Sequence, residues 1–154
     1  MITLNSQIPN FILKNQEEVE VTNKDLYNKW VLLYFYPKDD TPGCTKQACD
    51  LRDSFEQFKN SDLRIYGISP DNPKSHKKFK EKYNLPFDLL SDEEKTLCKE
   101  FGVWQKKSFM GKEYFGIVRS SFLINPNGTI VKIYPNVKPE QHAQIILNDI
   151  KELK

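Results

Sequence analysis

The residues best suited to chemistry are two cysteines, Cys44 and Cys49, in the segment 37–49 with the sequence PKDDTPGCTKQAC. A thiolate is a strong nucleophile and is readily oxidised, so two nearby cysteines can form and break a disulfide or bind a metal. Pro42 and Gly43 directly precede Cys44 and place it in the first turn of a predicted helix. Free backbone N–H groups and the helix dipole favour an anion there. The pattern therefore predicts that Cys44 is held as the reactive thiolate.

The same residues also have ordinary structural interpretations. A lone cysteine in a helix is most often a small buried hydrophobe, and C-x4-C is a weaker redox signal than C-x2-C. Thr41 could serve as a helix N-cap. Pro37 and Pro42 could simply mark the end of a strand and the start of a helix. From these residue types alone, a redox role and a structural role remain equally open.

The spacing of the two cysteines sets a condition on any disulfide between them. Five residues along an ideal helix correspond to a rotation of about 140° and a rise of about 7.5 Å. The two Cα atoms would then lie beyond the limit of about 7 Å for a disulfide. Cys44 shares an inward-facing stripe with Ala48 and Leu51, whereas Cys49 lies off that stripe and nearer solvent. A Cys44–Cys49 bond would therefore require the start of the helix to unwind.

A strand, a helix and a second strand must position this segment. Residues 31–36 form a continuous apolar run typical of a strand buried on both faces. Ala48, Leu51, Phe55 and Phe58 recur at helical spacing after the cysteines. Residues 64–69 form a second buried strand. Short connections make this a βαβ unit with a parallel strand pair, and active sites of open α/β folds lie past the carboxyl ends of such strands.

The rest of the chain completes an α/β pattern. The predicted elements are a ribbon at residues 11–13 and 19–21, a helix opening at 71–73, a strand at 86–90, a helix with a capping box at 91–94, a long loop at 103–118, a hairpin at 121–124 and 129–134, and a final helix at 139–153. This order favours an α/β, thioredoxin-like fold, with a central mixed β-sheet flanked by helices and an N-terminal β-ribbon. We expect a single domain over residues 1–154.

Composition narrows the function classes. The chain has 154 residues, a formal net charge of +2, 38% hydrophobic residues and 29% charged residues. This weak charge gives no reason to expect nucleic acid or an anionic membrane as partner. No apolar run approaches a membrane span, and the first ten residues do not resemble a secretory signal. We therefore expect a cytoplasmic protein, in which three cysteines are too few for a structural disulfide framework.

The segment 37–49 as a whole resembles the active site of the peroxiredoxins. Pro37-x-x-x-Thr41-x-x-Cys44 matches their active-site motif, and the flanking sequence resembles the Q-type subgroup, also called bacterioferritin comigratory protein. The likeness covers nearly the whole chain. Further matching segments, in order, are 67–69, 90–92, 101–104, 107–111 and 119–124.

The resemblance implies a role for five residues. Cys44 matches the peroxidatic cysteine, and Cys49 matches the resolving cysteine of members that form the disulfide within one chain. Thr41 matches the residue whose hydroxyl contacts the thiolate and the peroxide. Pro37 matches the residue that shields the thiolate from water, and Arg119 matches the arginine that lies beside the sulfur. The implied function is a thioredoxin-dependent peroxidase for hydrogen peroxide and organic hydroperoxides. No metal, flavin or haem is implied, and an intrachain resolving cysteine favours a monomer.

Two alternative functions remain open on the same fold. A thiol–disulfide oxidoreductase would need C-x2-C, which this chain does not have at the helix start. A peroxide-sensing relay protein would also oxidise at Cys44 but would turn over poorly with thioredoxin.

Several other residues that could do chemistry have structural interpretations. Cys98 is predicted to be a buried hydrophobe. His76 and His142 lack zinc-ligand spacing to the cysteines. The apolar residues of the long loop could equally line the substrate entrance or cover the core: Trp104, Phe109, Met110 and Phe115.

Overall fold

A computed structural model describes residues 2–154 and contains nine strands, five α-helices and one short 3₁₀-helix (Asn23–Leu26) within that range. The strands are β1 (Ile12–Lys14), β2 (Glu20–Thr22), β3 (Trp30–Phe35), β4 (Leu63–Ser69), β5 (Asp88–Ser91), β6 (Trp104–Phe109), β7 (Lys112–Ile117), β8 (Ser120–Ile124) and β9 (Ile130–Tyr134). The helices are α1 (Pro42–Asp53), α2 (Phe55–Asn60), α3 (Pro73–Tyr83), α4 (Thr96–Glu100) and α5 (His142–Leu153). Over residues 2–154, no helix is long and apolar enough to cross a membrane.

Seven strands form one mixed sheet in the order β2-β1-β5-β4-β3-β8-β9. β3 pairs in parallel with β4, β4 pairs in parallel with β5, and β8 lies antiparallel to β3 on the other side. The predicted βαβ unit is therefore β3, the helical segment α1–α2, and β4. Because β3 is the strand that leads into α1, the carboxyl end of β3 and the start of α1 meet near the middle of the sheet.

The core lies in two layers, one on each face of this sheet. Alternate residues of β3 point to opposite faces, with Leu33 and Phe35 on one and Leu32 and Tyr34 on the other. The ribbon β1–β2 and α4 contribute buried side chains to the first layer. Helices α1, α2, α3 and α5 contribute to the second. The apolar run of β3 is thus explained by burial on both faces, as the sequence predicts.

The chain between α4 and β8 differs from the sequence-based expectation. Residues 103–118 were predicted to be a long loop, but β6 and β7 pair here as a separate two-stranded hairpin. Met110 and Gly111 form its turn, both with positive φ (52° and 81°). Most of the hairpin side chains are exposed. Alternating burial is therefore missing, and with it the periodicity that identifies a strand.

Helix α4 also begins later than predicted. The expected capping box at residues 91–94 is wrong, because Ser91 is the last residue of β5 and pairs with Ser69 of β4. The Asp92 carboxylate instead accepts hydrogen bonds from the backbone N–H groups of Leu97 (3.3 Å) and Cys98 (2.7 Å). An acidic side chain still satisfies the free donors at the helix start, but from farther upstream than the usual cap position.

Candidate active site

Cys44 lies in the first turn of α1, directly past the carboxyl end of β3. Thr41 precedes the helix in an extended conformation, and Pro42 occupies its first turn, where a missing N–H costs nothing. The Cys44 side chain is only 2% exposed and packs in the second core layer. In general, the free N–H groups and the positive end of the dipole at a helix start favour an anion such as a thiolate.

Arg119 contacts the sulfur directly. Its Nη2 atom lies 3.3 Å from Cys44 Sγ, within hydrogen-bonding distance. Arg119 is the residue before β8, and its carbonyl accepts a hydrogen bond from the N–H of Val137 at 2.8 Å. A Cβ atom at Gly43 would lie 3.1 Å from the same Nη2 atom, so the absence of a side chain there lets the guanidinium approach the start of α1.

Gln47, which the sequence reasoning did not identify, holds the other side of the guanidinium. Its Oε1 atom accepts a hydrogen bond of 2.7 Å from Arg119 Nη1, and the residue is fully buried. Its Nε2 atom is buried without a hydrogen-bond partner among the described residues. Gln47 follows Cys44 by three residues and therefore shares its face of α1, which is the signal that could have identified it.

Thr41 and Pro37 lie on the loop that joins β3 to α1. The Thr41 hydroxyl donates a hydrogen bond of 2.8 Å to the carbonyl of Lys38 and makes no side-chain cap on α1. Thr41 therefore occupies the N-cap position that the sequence allows, but its hydroxyl does not cap the helix. Because its hydrogen is engaged, the Thr41 oxygen offers only lone pairs to a further partner. Pro37 is half-buried and directly follows the last core residue of the strand segment, Tyr36.

Cys49 lies in the same uninterrupted helix as Cys44 and is half-buried. All three cysteines are free thiols. In an α-helix that is continuous from Pro42 to Asp53, five residues correspond to a rise of about 7.5 Å between the two Cα atoms. This conformation does not permit a Cys44–Cys49 disulfide.

Tyr34 supplies an aromatic, weakly polar neighbour on the sheet side of Cys44. Its ring stacks on Tyr36 at a centroid distance of 5.4 Å, and its hydroxyl is buried without a partner among the described residues. Burial, and then the electrostatic effect of Cys44, raises the pKa of Tyr34 well above its ordinary value. The phenol thus stays protonated and adds no negative charge beside the thiol.

Cys98 lies on the opposite face of the sheet from this site. It belongs to the first core layer, is fully buried, and has its thiol pKa raised by burial and by the neighbouring Asp92 carboxylate. A thiol that resists ionisation is a poor nucleophile. The structure therefore places Cys98 as the buried hydrophobe that the sequence predicts.

The aromatic residues of segment 103–118 have two different environments. Trp104 is half-buried and packs against the core, with its ring stacked on Phe115. Phe109, Met110 and Phe115 are 67%, 87% and 59% exposed. The interpretation that these three cover the core is wrong, because they project into solvent from the β6–β7 hairpin. A role at the substrate entrance stays a prediction.

Comparison with known proteins assigns the family. The family model described as "AhpC/TSA family" matches residues 4–133. The chain belongs to the AhpC/TSA family, and its relatives within it are peroxiredoxins of the Bcp and Q type. It is 46% identical to "Peroxiredoxin Bcp" of Bacillus subtilis over 99% of this chain and 97% of that protein. It is also 46% identical to "Peroxiredoxin Bcp" of Escherichia coli over 94% of this chain and 92% of that protein. These relatives are peroxidases, which assigns the chain to that enzyme class.

Solved structures confirm the predicted thioredoxin-like fold. Peroxiredoxin Q from Xanthomonas campestris superposes with a TM-score of 0.88 at 36% identity, covering 92% of this chain and 90% of that one. A cysteine-to-serine variant of Xylella fastidiosa PrxQ superposes with a TM-score of 0.93 at 34% identity, covering 99% and 98%. The predicted resemblance to Q-type peroxiredoxins is thus confirmed, while the roles of individual site residues stay predictions.

Proposed function

We propose that this protein is a thioredoxin-dependent peroxidase that reduces hydrogen peroxide and organic hydroperoxides through Cys44 and resolves the product with Cys49. The observation that carries the proposal is the 3.3 Å contact between Arg119 Nη2 and Cys44 Sγ at a buried helix start. A guanidinium and helix N–H groups together stabilise a thiolate in a site that excludes water.

The first step is an attack of the Cys44 thiolate on one oxygen of the peroxide. An S–O bond forms while the O–O bond breaks, Cys44 becomes a sulfenic acid, and the leaving oxygen takes up a proton to become water or an alcohol. Negative charge moves onto the leaving oxygen during this step. Arg119 and the N–H groups of α1 are fixed donors that would stabilise that charge as it develops.

Thr41 and Pro37 have supporting roles in this step. The Thr41 oxygen can accept a hydrogen bond from the hydroxyl of a bound peroxide, since its own hydrogen is already donated to Lys38. Pro37 carries no N–H and presents an apolar ring next to the thiol loop, which would limit the access of water. Together they would orient the peroxide for attack along the O–O axis.

The second step transfers the oxidation to Cys49. The Cys49 thiol attacks the Cys44 sulfenic acid, an S–S bond forms, and the hydroxyl leaves as water. Because both residues lie in continuous helix α1, the first turns of α1 must unwind for the two sulfurs to meet. Two thiols of reduced thioredoxin would then exchange with this disulfide and restore both cysteines.

The substrate range and the setting are part of the same proposal. A solved Xanthomonas campestris bacterioferritin comigratory protein is described by its alkyl peroxide reduction activity, which supports organic hydroperoxides as substrates here. A resolving cysteine on the same helix needs no second subunit, so we expect a monomer. We expect the cytoplasm as its location, where thioredoxin keeps thiols reduced.

Intact mass after addition of one equivalent of hydrogen peroxide tests the proposal. The reduced protein should lose two hydrogens quickly, and peptide mapping should find a Cys44–Cys49 bond. The Cys49→Ser variant should instead gain one oxygen on Cys44, and the Cys44→Ser variant should keep its mass. An unchanged mass of the wild-type protein would overturn the peroxidase assignment.

The reductant is tested separately by NADPH consumption with thioredoxin and thioredoxin reductase under steady-state peroxide. Sustained turnover is expected. A single fast oxidation followed by negligible turnover would instead identify a peroxide-sensing relay protein.

A further inference from the structure

The loop between β3 and α1, residues 37–41, is anchored by a buried carboxylate. Asp39 lies in the middle of this loop and is 8% exposed. Its carboxylate accepts hydrogen bonds from the Tyr36 hydroxyl (2.5 Å), the Ser75 hydroxyl (2.8 Å) and Nδ1 of His76 (2.7 Å). Its backbone N–H donates to the carboxylate of Asp71 at 2.8 Å. The loop is thereby tied to the start of α3, a different helix from the one that carries Cys44.

His76 faces a hydrogen-bond acceptor at each ring nitrogen. Nε2 lies 3.0 Å from the carbonyl oxygen of Leu90, which can only accept, so Nε2 carries a hydrogen. Nδ1 lies 2.7 Å from Oδ2 of Asp39, whose carboxyl group also accepts hydrogen bonds from two hydroxyl groups. Both ring nitrogens are therefore engaged in hydrogen bonds. The His76 and Asp39 side chains that form this buried pair are 0% and 4% exposed.

Further polar groups lie close to this pair. The Tyr36 hydroxyl is 3.4 Å from Nδ1, and the carboxyl group of Asp71 belongs to the same cluster within 4.8 Å. Asp39, Asp71 and His76 could suggest a cation site, but both ring nitrogens of His76 are already engaged in hydrogen bonds, one of them with the Leu90 carbonyl. The cluster is instead held together by hydrogen bonds between its own members.

We propose that His76 is a positioning residue for the thiol site. Its buried hydrogen bond with Asp39 holds the loop that carries Pro37 and Thr41, independently of α1. This proposal rests on the proposed function. The first turns of α1 must unwind when the disulfide forms, whereas the loop is fixed from α3. Unwinding would then leave Pro37 and Thr41 in place, so that only α1 has to refold before the next peroxide binds.

Two variants at His76 separate positioning from simple stability. In His76→Asn the amide nitrogen lies near the position of Nδ1 and can still donate to Asp39. In His76→Gln it lies near the position of Nε2 and can donate only to Leu90. We expect His76→Gln to slow oxidation of Cys44 by peroxide by at least about tenfold, and His76→Asn by no more than about threefold. Lys77→Gln, which removes an exposed positive charge from the same helix, is the matched control and should change the rate by less than about twofold.

Two further readouts distinguish loop position from thiol reactivity. Alkylation of Cys44 by iodoacetamide needs the thiolate but no peroxide geometry, so its rate should stay within about twofold in His76→Gln. Amide hydrogen exchange over residues 36–41 should be slow in both the reduced and the disulfide form of the wild-type protein. It should be fast in His76→Gln, with His76→Asn between the two.

The outcome that overturns the proposal is equal behaviour of the two His76 variants, with unchanged exchange over residues 36–41. If neither variant folds, Ser75→Ala removes one hydrogen bond to Asp39 and should raise exchange over 36–41 and slow oxidation by about threefold; no change in either would also overturn it. If the wild-type protein does not react with peroxide, the proposed function fails, and the exchange measurement still decides whether His76 holds the loop.

Discussion

At the scale of single residues, the candidate site depends on how one guanidinium is held. Arg119 donates to Cys44 Sγ from one nitrogen and to Gln47 Oε1 from the other, while Gly43 leaves it room. Two fixed contacts leave a planar guanidinium little freedom to rotate. The strength of its interaction with a developing charge depends on that fixed position, because a preorganised donor needs no rearrangement during the reaction.

Substitution of Gly43 by alanine tests the position of Arg119 without touching a reacting group. The new methyl carbon would lie 3.1 Å from Nη2 and should displace the guanidinium from the sulfur. We expect oxidation of Cys44 by hydrogen peroxide to slow by about tenfold. The stability of helix α1 should not decrease, since alanine is favoured over glycine by about 1 kcal/mol within helices. Stopped-flow kinetics gives the rate of Cys44 oxidation, and thermal unfolding of the same preparation gives its stability. An unchanged oxidation rate would show that the contact between Arg119 and Cys44 does not matter.

Gln47 can be tested with a matched pair of variants. Gln47→Met keeps most of the side-chain volume but has no oxygen for Arg119 Nη1, whereas Gln47→Ala removes both the volume and the oxygen. If Gln47 acts by holding Arg119 through its oxygen, both variants should oxidise about tenfold more slowly than the wild type. A methionine variant with the wild-type rate would contradict this role, because only the side-chain volume would then matter. The measurement is the second-order rate constant for oxidation of Cys44.

At the scale of elements, α1 is the scaffold of the thiol site and, under the proposed mechanism, also the segment that would have to rearrange. In the disulfide form we expect amide exchange over residues 42–53 to be at least about a hundredfold faster than in the reduced form, because helical hydrogen bonds are lost there. Helix α3 is the internal reference and should exchange at the same rate in both forms. Identical protection of residues 42–53 in the two forms would contradict unwinding.

The elements that the sequence predicts well are those with one clear burial pattern. β3, α1 and β4 carry continuous apolar runs or a helical stripe, and these define the place where Cys44 must lie. The β6–β7 hairpin is exposed on most of both faces, so it has no periodicity to detect. The start of α4 was misplaced because Ser91 is used by the sheet, a long-range pairing that local sequence cannot reveal.

In the candidate site, residues that are close in sequence could be predicted, whereas a contact between distant residues could not. Cys44, Cys49, Thr41 and Pro37 are adjacent in sequence, and Arg119 was reached through the resemblance to a family. The pair formed by Asp39 and His76 joins residues 37 positions apart, and neither motif nor composition links them. Lys77 and Lys78 beside His76 are exposed, so the local sequence gives no indication that this histidine is fully buried.

At the scale of the whole molecule, His142 links the stability of the fold to pH. It begins α5 and packs on the sheet, with Nε2 2.7 Å from the Ser121 hydroxyl. Burial, and then the nearby charge of Arg119, lowers the pKa of His142 from 6.5 to about 4. In the unfolded chain this histidine binds a proton below its ordinary pKa, whereas in the folded protein it does so only at much lower pH. Its contribution to stability is therefore complete above pH 6.5 and is lost as pH falls toward 4.

This linkage predicts a difference between the wild-type protein and His142→Gln. The free energy of unfolding of the wild type should fall by up to about 3 kcal/mol more than that of the variant between pH 7 and pH 4. Urea unfolding at several pH values measures it. Comparing the two proteins cancels the contributions of the other titratable groups, which are common to both. Parallel curves would show that His142 accepts a proton in the folded state.

The burial of Cys98 has a practical consequence. A thiol reagent added to the reduced native protein should meet Cys44 and Cys49 through the local opening of α1, but it can meet Cys98 only when the central layers of the molecule separate. Labelling of Cys98 should therefore be the slowest of three labelling phases, and its rate would report global unfolding in buffer without denaturant. The protein thus carries its own reporter of kinetic stability, on the face of the sheet opposite the chemistry.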